Sequence, residues 1–355
     1  AGGAVAASLA GCTRRSVGPA VHTGRRRRWR LVSSFPRSLD TIFGAAEHFA
    51  KRLGELTAGR FEVRVHAPGE VVPALKVLDA VGQGTAELGH SASYYYMGKQ
   101  PALAFDTTVP FGLGAREQLA WLEHGGGDEL LAPLFAELGV VRLFGGNTGV
   151  QMGGWFRRRV ERPEDLRGLK MRIPGMGGKV MSRLGVTVQV LPGGDIYPAL
   201  ERGAIDATEW VGPYDDEKLG FHQVARYYYY PGWWEPGPSL AFYVHRKGWE
   251  GLSAEERTAL QLAAREAGLS MVAAYDARNP AALQRLLDKG VQLERFSDAI
   301  LAAAERATEA LHTEIAAKDR SYRRVLERWR AFRDASRRWF STAELAYARW
   351  AYRAR

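Results

Sequence analysis

From residue 29 onward the chain alternates between two hydrophobic patterns, one repeating every second residue and one at helical spacing. Residues 29–35 read as a strand. Ile42, Phe43, Ala46, Phe49 and Leu53 then line one helical face, with Asp40 placed to cap it. Residues 60–66 alternate apolar and polar, and Pro73 opens a second helix reaching about Val81. This is the βαβ rhythm of a largely parallel sheet. The rhythm restarts in mid-chain, with strands expected at 140–144, 169–173 and 186–190 and helices at 176–184 and 194–202. A further strand is expected at 239–245. Beyond Ser253 the pattern is helical, and Ser253 and Glu256 have the spacing of a capping box. The reading is an α/β clamp: two domains, two sheets linked by crossover strands, a ligand between them and a long helix at the C-terminus.

That last helix is amphipathic. Tyr322, Leu326, Trp329, Phe332, Trp339, Phe340, Tyr347 and Trp350 recur at near-helical spacing among arginines. Ser341 and Glu344 are spaced to cap a new helix, which would break the run near Phe340. Such an aromatic stripe is costly to leave in water. It is expected to lie across its own two domains or to pack, swapped, on a second subunit in a homodimer; contact with a membrane surface through the arginines is the residual option.

Charge changes the picture less than its total suggests. The chain of 355 residues carries a net charge of +10, but seven arginines lie within residues 1–30 and twelve Lys or Arg, against four Asp or Glu, lie within 318–355. The body between is net acidic, so no basic groove for nucleic acid is implied. The single cysteine, Cys12, excludes an intramolecular disulfide. It follows a small, apolar stretch ending in Leu9-Ala10-Gly11, which resembles the tail of a bacterial export signal with a lipobox, whose cysteine is acylated. The alternative is a small-residue tail containing a chance cysteine. No later segment has the ~18 unbroken apolar residues of a spanning helix. The expected location is periplasmic, with Cys12 as the candidate lipid anchor.

Four spaced segments carry a family resemblance: DLRGLKMRIP at 165–174, GAID at 203–206, DATEWVGPYDDEKLG at 206–220 and YYYYPGWWEPG at 227–237. Together they resemble the substrate-binding proteins of TRAP (tripartite ATP-independent periplasmic) transporters, in particular the branch that binds small 2-oxo or 2-hydroxy monocarboxylates with a metal ion. The likeness runs from about Trp29 to the C-terminal helix. It implies a periplasmic-binding-protein-like clamp that delivers its solute to membrane subunits. The expected division is 1–28 as export-signal remnant, lipobox and basic linker; 29–150 with about 238–285 as one domain; 151–237 with about 286–318 as the other; and 319–355 as the terminal helix.

The resemblance assigns roles that the residue chemistry supports. Arg172, in a strand-like run just before Ile173-Pro174, is the expected anchor, since a guanidinium facing a cleft holds a carboxylate through two parallel hydrogen bonds. Glu209, the backbone carbonyl of Trp210, Gln151 and Glu235 are implied to hold a cation that also meets the solute. All are oxygen donors, which suits Na⁺ or Ca²⁺ and disfavours zinc. Tyr94 and Tyr95 are favoured among Tyr94–Tyr96 to roof the site, with Asn147 and Trp210 as further solute contacts. Trp233 and Trp234 read as core or wall, Trp234 bounding the solute's volume. If both glutamates line a closed site, Arg172 and a monocarboxylate leave a net −2, which one Na⁺ reduces to −1 and one Ca²⁺ to zero. Burying the uncompensated charge would cost several kcal/mol, so metal and solute are expected to bind together. No HExxH, GxSxG, Walker loop or GxGxxG preceding a helix occurs, which argues against the rival reading of a metal-dependent enzyme acting on oxo-acids. A ligand sensor for a membrane receptor is the other rival.

Overall fold

The computed structural model describes residues 26–353. Cys12, the expected lipidation site, lies outside them. In chain order the strands are β1 (Arg27–Ser33), β2 (Phe61–His66), β3 (Leu88–Ser91), β4 (Val140–Asn147), β5 (Trp155–Phe156), β6 (Lys170–Arg172), β7 (Thr187–Gln189), β8 (Ala207–Thr208), β9 (Tyr227–Tyr230), β10 (Ser239–His245) and β11 (Gln292–Arg295). They form a five-stranded sheet of order β2-β1-β3-β10-β4 and a six-stranded sheet of order β11-β9-β5-β8-β6-β7. The β1–β2 and β1–β3 pairs are parallel, while β10 runs antiparallel to both β3 and β4.

The chain leaves the first sheet after β4 and returns from the second after β9. The two crossings are tied together: Gln151 N–H donates to Glu235 O at 3.1 Å, Gly232 N–H to Gln151 O at 2.9 Å and Thr148 N–H to Pro238 O at 3.2 Å. One apolar cluster runs through both lobes, and a second closes one face of the first sheet. Leu31, Phe49, Leu88, Phe242, Leu260 and Ala263 are buried between the first sheet and the helices Ile42–Leu56 and Ala254–Asp288. Full burial of one such large side chain stabilises by about 1.5–3 kcal/mol. The second of these helices runs on to contact the segment Pro213–Leu219 in the other lobe. It approaches β4 closely because Gly268 has no side chain; a Cβ there would sit 2.3 Å from the Phe144 ring. The capping box expected at its start is formed, with Ser253 and Glu256 satisfying each other's backbone N–H groups.

The first helix begins at Ile42 without the cap expected of Asp40. Thr41 occupies the N-cap and makes no side-chain bond to the helix, although a capping side chain there is usually worth about 1 kcal/mol. The carboxylate of Asp40 instead turns toward Tyr214, Lys218 and Arg278.

The helix Arg320–Phe340 packs on its own chain. Tyr322, Val325, Leu326 and Trp329 are buried, and Phe105 meets both Tyr322 (5.1 Å between centroids) and Trp329 (5.5 Å). The Ser341/Glu344 cap does not form. Ser341 Oγ donates to Arg338 O, Glu344 pairs with Arg116, and the helix continues through a π turn, Ser341–Leu345, into Ala346–Ala351. Past Phe340 the aromatic stripe is in solvent, Tyr347 being 70% and Trp350 67% exposed. Among the described residues no helix is long and apolar enough to cross a membrane.

His312, from the preceding helix Asp298–Lys318, is buried against this packing, its Nδ1 2.7 Å from Tyr322 Oη. Burial, with Arg330 and Arg333 adding to it, lowers its pKa to about 3. A histidine depressed in the folded state binds fewer protons there than when unfolded, so its contribution to stability is complete above about pH 6.5 and is lost as pH falls toward 3. Replacing His312 by Gln is expected to reduce the slope of unfolding free energy against pH in that window by about one proton, ~1.4 kcal/mol per pH unit. Urea melts at a series of pH values check this; an unchanged slope would contradict it.

Candidate functional site

The parallel strands β6 and β8 end side by side, with Arg172 in register with Thr208, so the residues that follow both strands gather at one sheet edge. Arg172 is the last residue of β6 and is 1% exposed. Its Nε donates to Leu191 O at 3.1 Å and its Nη1 to Glu209 O at 3.2 Å and to Glu209 Oε1; Nη2 has no hydrogen-bond partner. The guanidinium also lies over the Trp210 ring, 5.2 Å from its centroid. Three hydrogen bonds to two residues therefore fix the fork, while Nη2 has no partner. The chain can turn away after Pro174 because Gly175 adopts a φ of +64°, and a Cβ there would come 3.1 Å from the Tyr94 ring.

The crossings supply the opposite wall. Glu235 is buried, and one oxygen receives a long contact, 3.5 Å, from Tyr94 Oη. Gln151 donates through Nε2 to Thr148 Oγ1 at 3.3 Å, and its Oε1 is a buried acceptor without a donor. These groups surround a small pocket of about 20 Å³, lined by Tyr94, Tyr95, Gln151, Arg172, Trp210 and Glu235 together with Phe35, Ile42, Thr148, Val211 and Leu240. That volume admits little more than a water molecule, so any solute must enter with the lobes apart.

The electrostatics leave room for a cation. Burial pushes Glu235 well above the usual carboxylate range and Glu209 adds to this, outweighing Arg172 and Tyr94. Glu209 is raised as well, burial outweighing the Arg172 charge and Asp216 adding. Burial pushes Tyr95 up to about 12, so it stays a neutral phenol. Two buried carboxyls facing one guanidinium, beside an orphaned amide oxygen, form an acceptor-rich set that fits a hard cation better than a proton on each acid. Among the described residues no group of three or more His, Cys, Asp or Glu converges, so a cation here needs amide and carbonyl oxygens as well.

Not every candidate converges. The Asn147 amide holds the connector, Nδ2 donating to Gly237 O at 2.9 Å and Oδ1 accepting from Gly149 N–H at 2.8 Å, and Asn147 faces a different cavity. Trp234 is core: its ring packs on Phe296 and against Gly177, outside the pocket wall. Glu209 sits behind Arg172 rather than on the lining.

Sequence reasoning missed Asp215 and Asp216, both fully buried in the helix after the Gly212-Pro213 turn. Asp216 accepts from Trp155 Nε1 at 2.9 Å and Tyr228 Oη at 2.7 Å, which locks the turn carrying Trp210 onto the second sheet. Paired acids in a helix's first turn ordinarily read as a solvated start, so only contact information could have found them. A larger concavity of about 760 Å³ lies between the helices Ala115–His124 and Ala254–Asp288, but its walls include exposed Val150 and Leu269 and no converging buried charges.

Residues 32–319 match the family model DctP, bacterial extracellular solute-binding protein family 7. A monocarboxylate 2-oxoacid-binding periplasmic protein of Nostoc sp. PCC 7120 is 53% identical over 91% of this chain and 89% of its own length. Among solved structures, a TRAP transporter solute-binding protein from Bordetella bronchiseptica superposes with a TM-score of 0.92 at 45% identity, covering 93% of this chain and 98% of that one. It is a mixed-occupancy dimer with calcium and picolinate in one site and the other site apo. A TRAP periplasmic solute-binding protein from Pseudoalteromonas atlantica, with sodium and pyruvate bound, gives a TM-score of 0.88 at 40% identity over 91% of this chain and 98% of its own.

Proposed function

The chain belongs to the DctP family, the bacterial extracellular solute-binding proteins of family 7, as a solute-binding protein of a TRAP transporter, and we propose that it captures a small 2-oxo or 2-hydroxy monocarboxylate together with Na⁺ or Ca²⁺. The family is periplasmic and works with membrane transport subunits. The observation that carries the reading is that two residues lining one pocket each keep a buried polar atom without a partner, Nη2 of Arg172 and Oε1 of Gln151. One buried cationic donor and one buried acceptor without a partner are complementary to a carboxylate and a cation bound side by side.

In this reading Arg172 grips the solute carboxylate, with its other nitrogens already held by Leu191 and Glu209. Gln151, Glu235 and the carbonyl of Trp210 hold the cation, and Glu209 contributes negative charge through Arg172. When bound, the cation compensates the two glutamates and meets an oxo or hydroxy oxygen. Tyr94 and Tyr95 cover the solute from the first lobe. Phe35, Ile42 and Leu240 line the pocket with apolar surface, which favours a methyl or short alkyl tail over a second carboxylate. The segments 29–150 with about 238–285, and 151–237 with about 286–318, move as two lobes about the paired connectors. Contacts from both halves exist only when the lobes meet, so solute binding favours closure. The exposed aromatic face beyond Phe340 supports pairing with a second copy, and Cys12 remains the candidate lipid anchor. The protein does no chemistry on its solute; consumption of pyruvate or lactate by the pure protein would overturn that part.

A thermal-shift panel with calcium present tests the reading. At a hundred times its Kd a solute stabilises by about 2.7 kcal/mol, a rise of several degrees in Tm. Pyruvate or a close analogue should give that rise, whereas glucose and succinate should not. No rise with any 2-oxo or 2-hydroxy monocarboxylate would reject it.

A further inference from the structure

Two side chains of capping chemistry stand at the N-terminus of the helix Ile42–Leu56, and neither serves that helix. The Thr41 hydroxyl donates to Asp215 Oδ1 at 2.5 Å. Asp40 pairs through Oδ1 with Lys218, while its Oδ2 accepts from Tyr214 Oη at 3.1 Å and from Arg278 at 3.0 Å. Asp40 and Thr41 belong to the first lobe, and Tyr214, Asp215 and Lys218 to the helix Pro213–Leu219 of the second. The second oxygen of Asp215 accepts from Tyr275 Oη at 2.7 Å, and Tyr214 N–H donates to Asn279 Oδ1 at 3.0 Å. Tyr275, Arg278 and Asn279 all lie on the long helix that spans both lobes. Lys218 and Arg278 also both lie over the Tyr214 ring, 4.4 and 5.1 Å from its centroid.

The two partner segments also carry pocket walls. Phe35 and Ile42 flank Asp40-Thr41 on one side, and Trp210 and Val211 precede Tyr214 on the other. We propose that Asp40 and Thr41 form a cross-lobe latch with Tyr214, Asp215 and Lys218, which holds the closed, loaded state and sets the rate at which solute leaves. An isolated exposed ion pair would contribute little. Here the exposed Asp40 cluster is joined to the buried Thr41–Asp215 bond; the Asp40–Arg278 pair lies within the first lobe, whereas the bonds to Tyr214, Asp215 and Lys218 cross between the lobes. The Asp40 carboxyl lies below its ordinary value: burial works against this, but Lys218, Tyr214 and Arg278 prevail. These are positioning residues, since none of them lines the pocket.

The inference rests on the capture reading, and stopped-flow release of pyruvate from the full chain in calcium tests it. Asp40→Asn and Lys218→Met should each raise the dissociation rate about tenfold while changing the association rate less than about twofold, because latch contacts form after encounter. The double variant should release no faster than the faster single one, and Asp40→Glu should restore slow release. Unchanged release in Asp40→Asn, or independent effects in the double variant, would overturn the latch. If the unmodified protein took up no pyruvate, the capture reading would fail instead. Electron–electron distance measurements between spin labels on the two lobes would then decide the latch separately: fewer closed molecules in Asp40→Asn support it, and an equal closed fraction refutes it.

Discussion

Replacing Arg172 by alanine is expected to weaken pyruvate capture at least a hundredfold while the protein still folds. Removing one partner of a buried, hydrogen-bonded charge pair costs about 2–5 kcal/mol in binding, and each 1.4 kcal/mol is a factor of ten. Arg172 already pairs with Glu209, and in the proposed complex it would be such a partner a second time, toward the solute carboxylate. Its loss would leave Glu209 buried without a counter-charge, and burial already raises that acid, so Glu209 would take up a proton and spare much of the fold. Arg172→Lys keeps the charge but lacks the planar fork that reaches Leu191, Glu209 and the solute at once, so its affinity should fall between the two. Calorimetric titration, with a thermal melt to verify folding, measures both. Affinity within threefold of the unmodified protein in Arg172→Ala would remove the anchor from the account.

The candidate residues that the structure brings to one pocket are those whose position follows from local geometry. Arg172 ends a strand before a proline, Tyr94 and Tyr95 follow β3, and Gln151 and Glu235 lie in the short connectors between sheets, so strand ends already placed them near a sheet edge. Asn147 has the right chemistry and neighbourhood, but its amide satisfies backbone groups of the crossing that only the paired connectors bring near. The two-residue strands β5 and β8 are too short to show a period, although β8 carries Glu209 to the site. Asp40 reads as a helix cap because an amphipathic helical pattern begins directly after it, and Thr41 carries no signal of its own. Their partners lie some 174 positions further along, a separation that no hydrophobic pattern encodes.

Removing the metal should have the second large effect. With Arg172 as the counter-charge to Glu209, a bound monocarboxylate adds a negative charge beside Glu235, in a site where burial has already pushed that acid up. Without a cation, either Glu235 stays protonated and offers the solute one donor, or the pocket closes over unbalanced charge at a cost of several kcal/mol. Affinity should therefore fall by about two orders of magnitude in chelator, about 2.7 kcal/mol. Because Glu235→Gln removes one of the charges that the cation balances, its affinity for pyruvate should depend on metal far less steeply, even if it is weaker overall.

The most direct test of joint capture is calorimetric titration of pyruvate into the same protein preparation, first in chelator and then in saturating calcium or sodium. The account predicts scarcely measurable binding in chelator and at least a hundredfold gain when metal is restored. Equal affinity in the two titrations would contradict it.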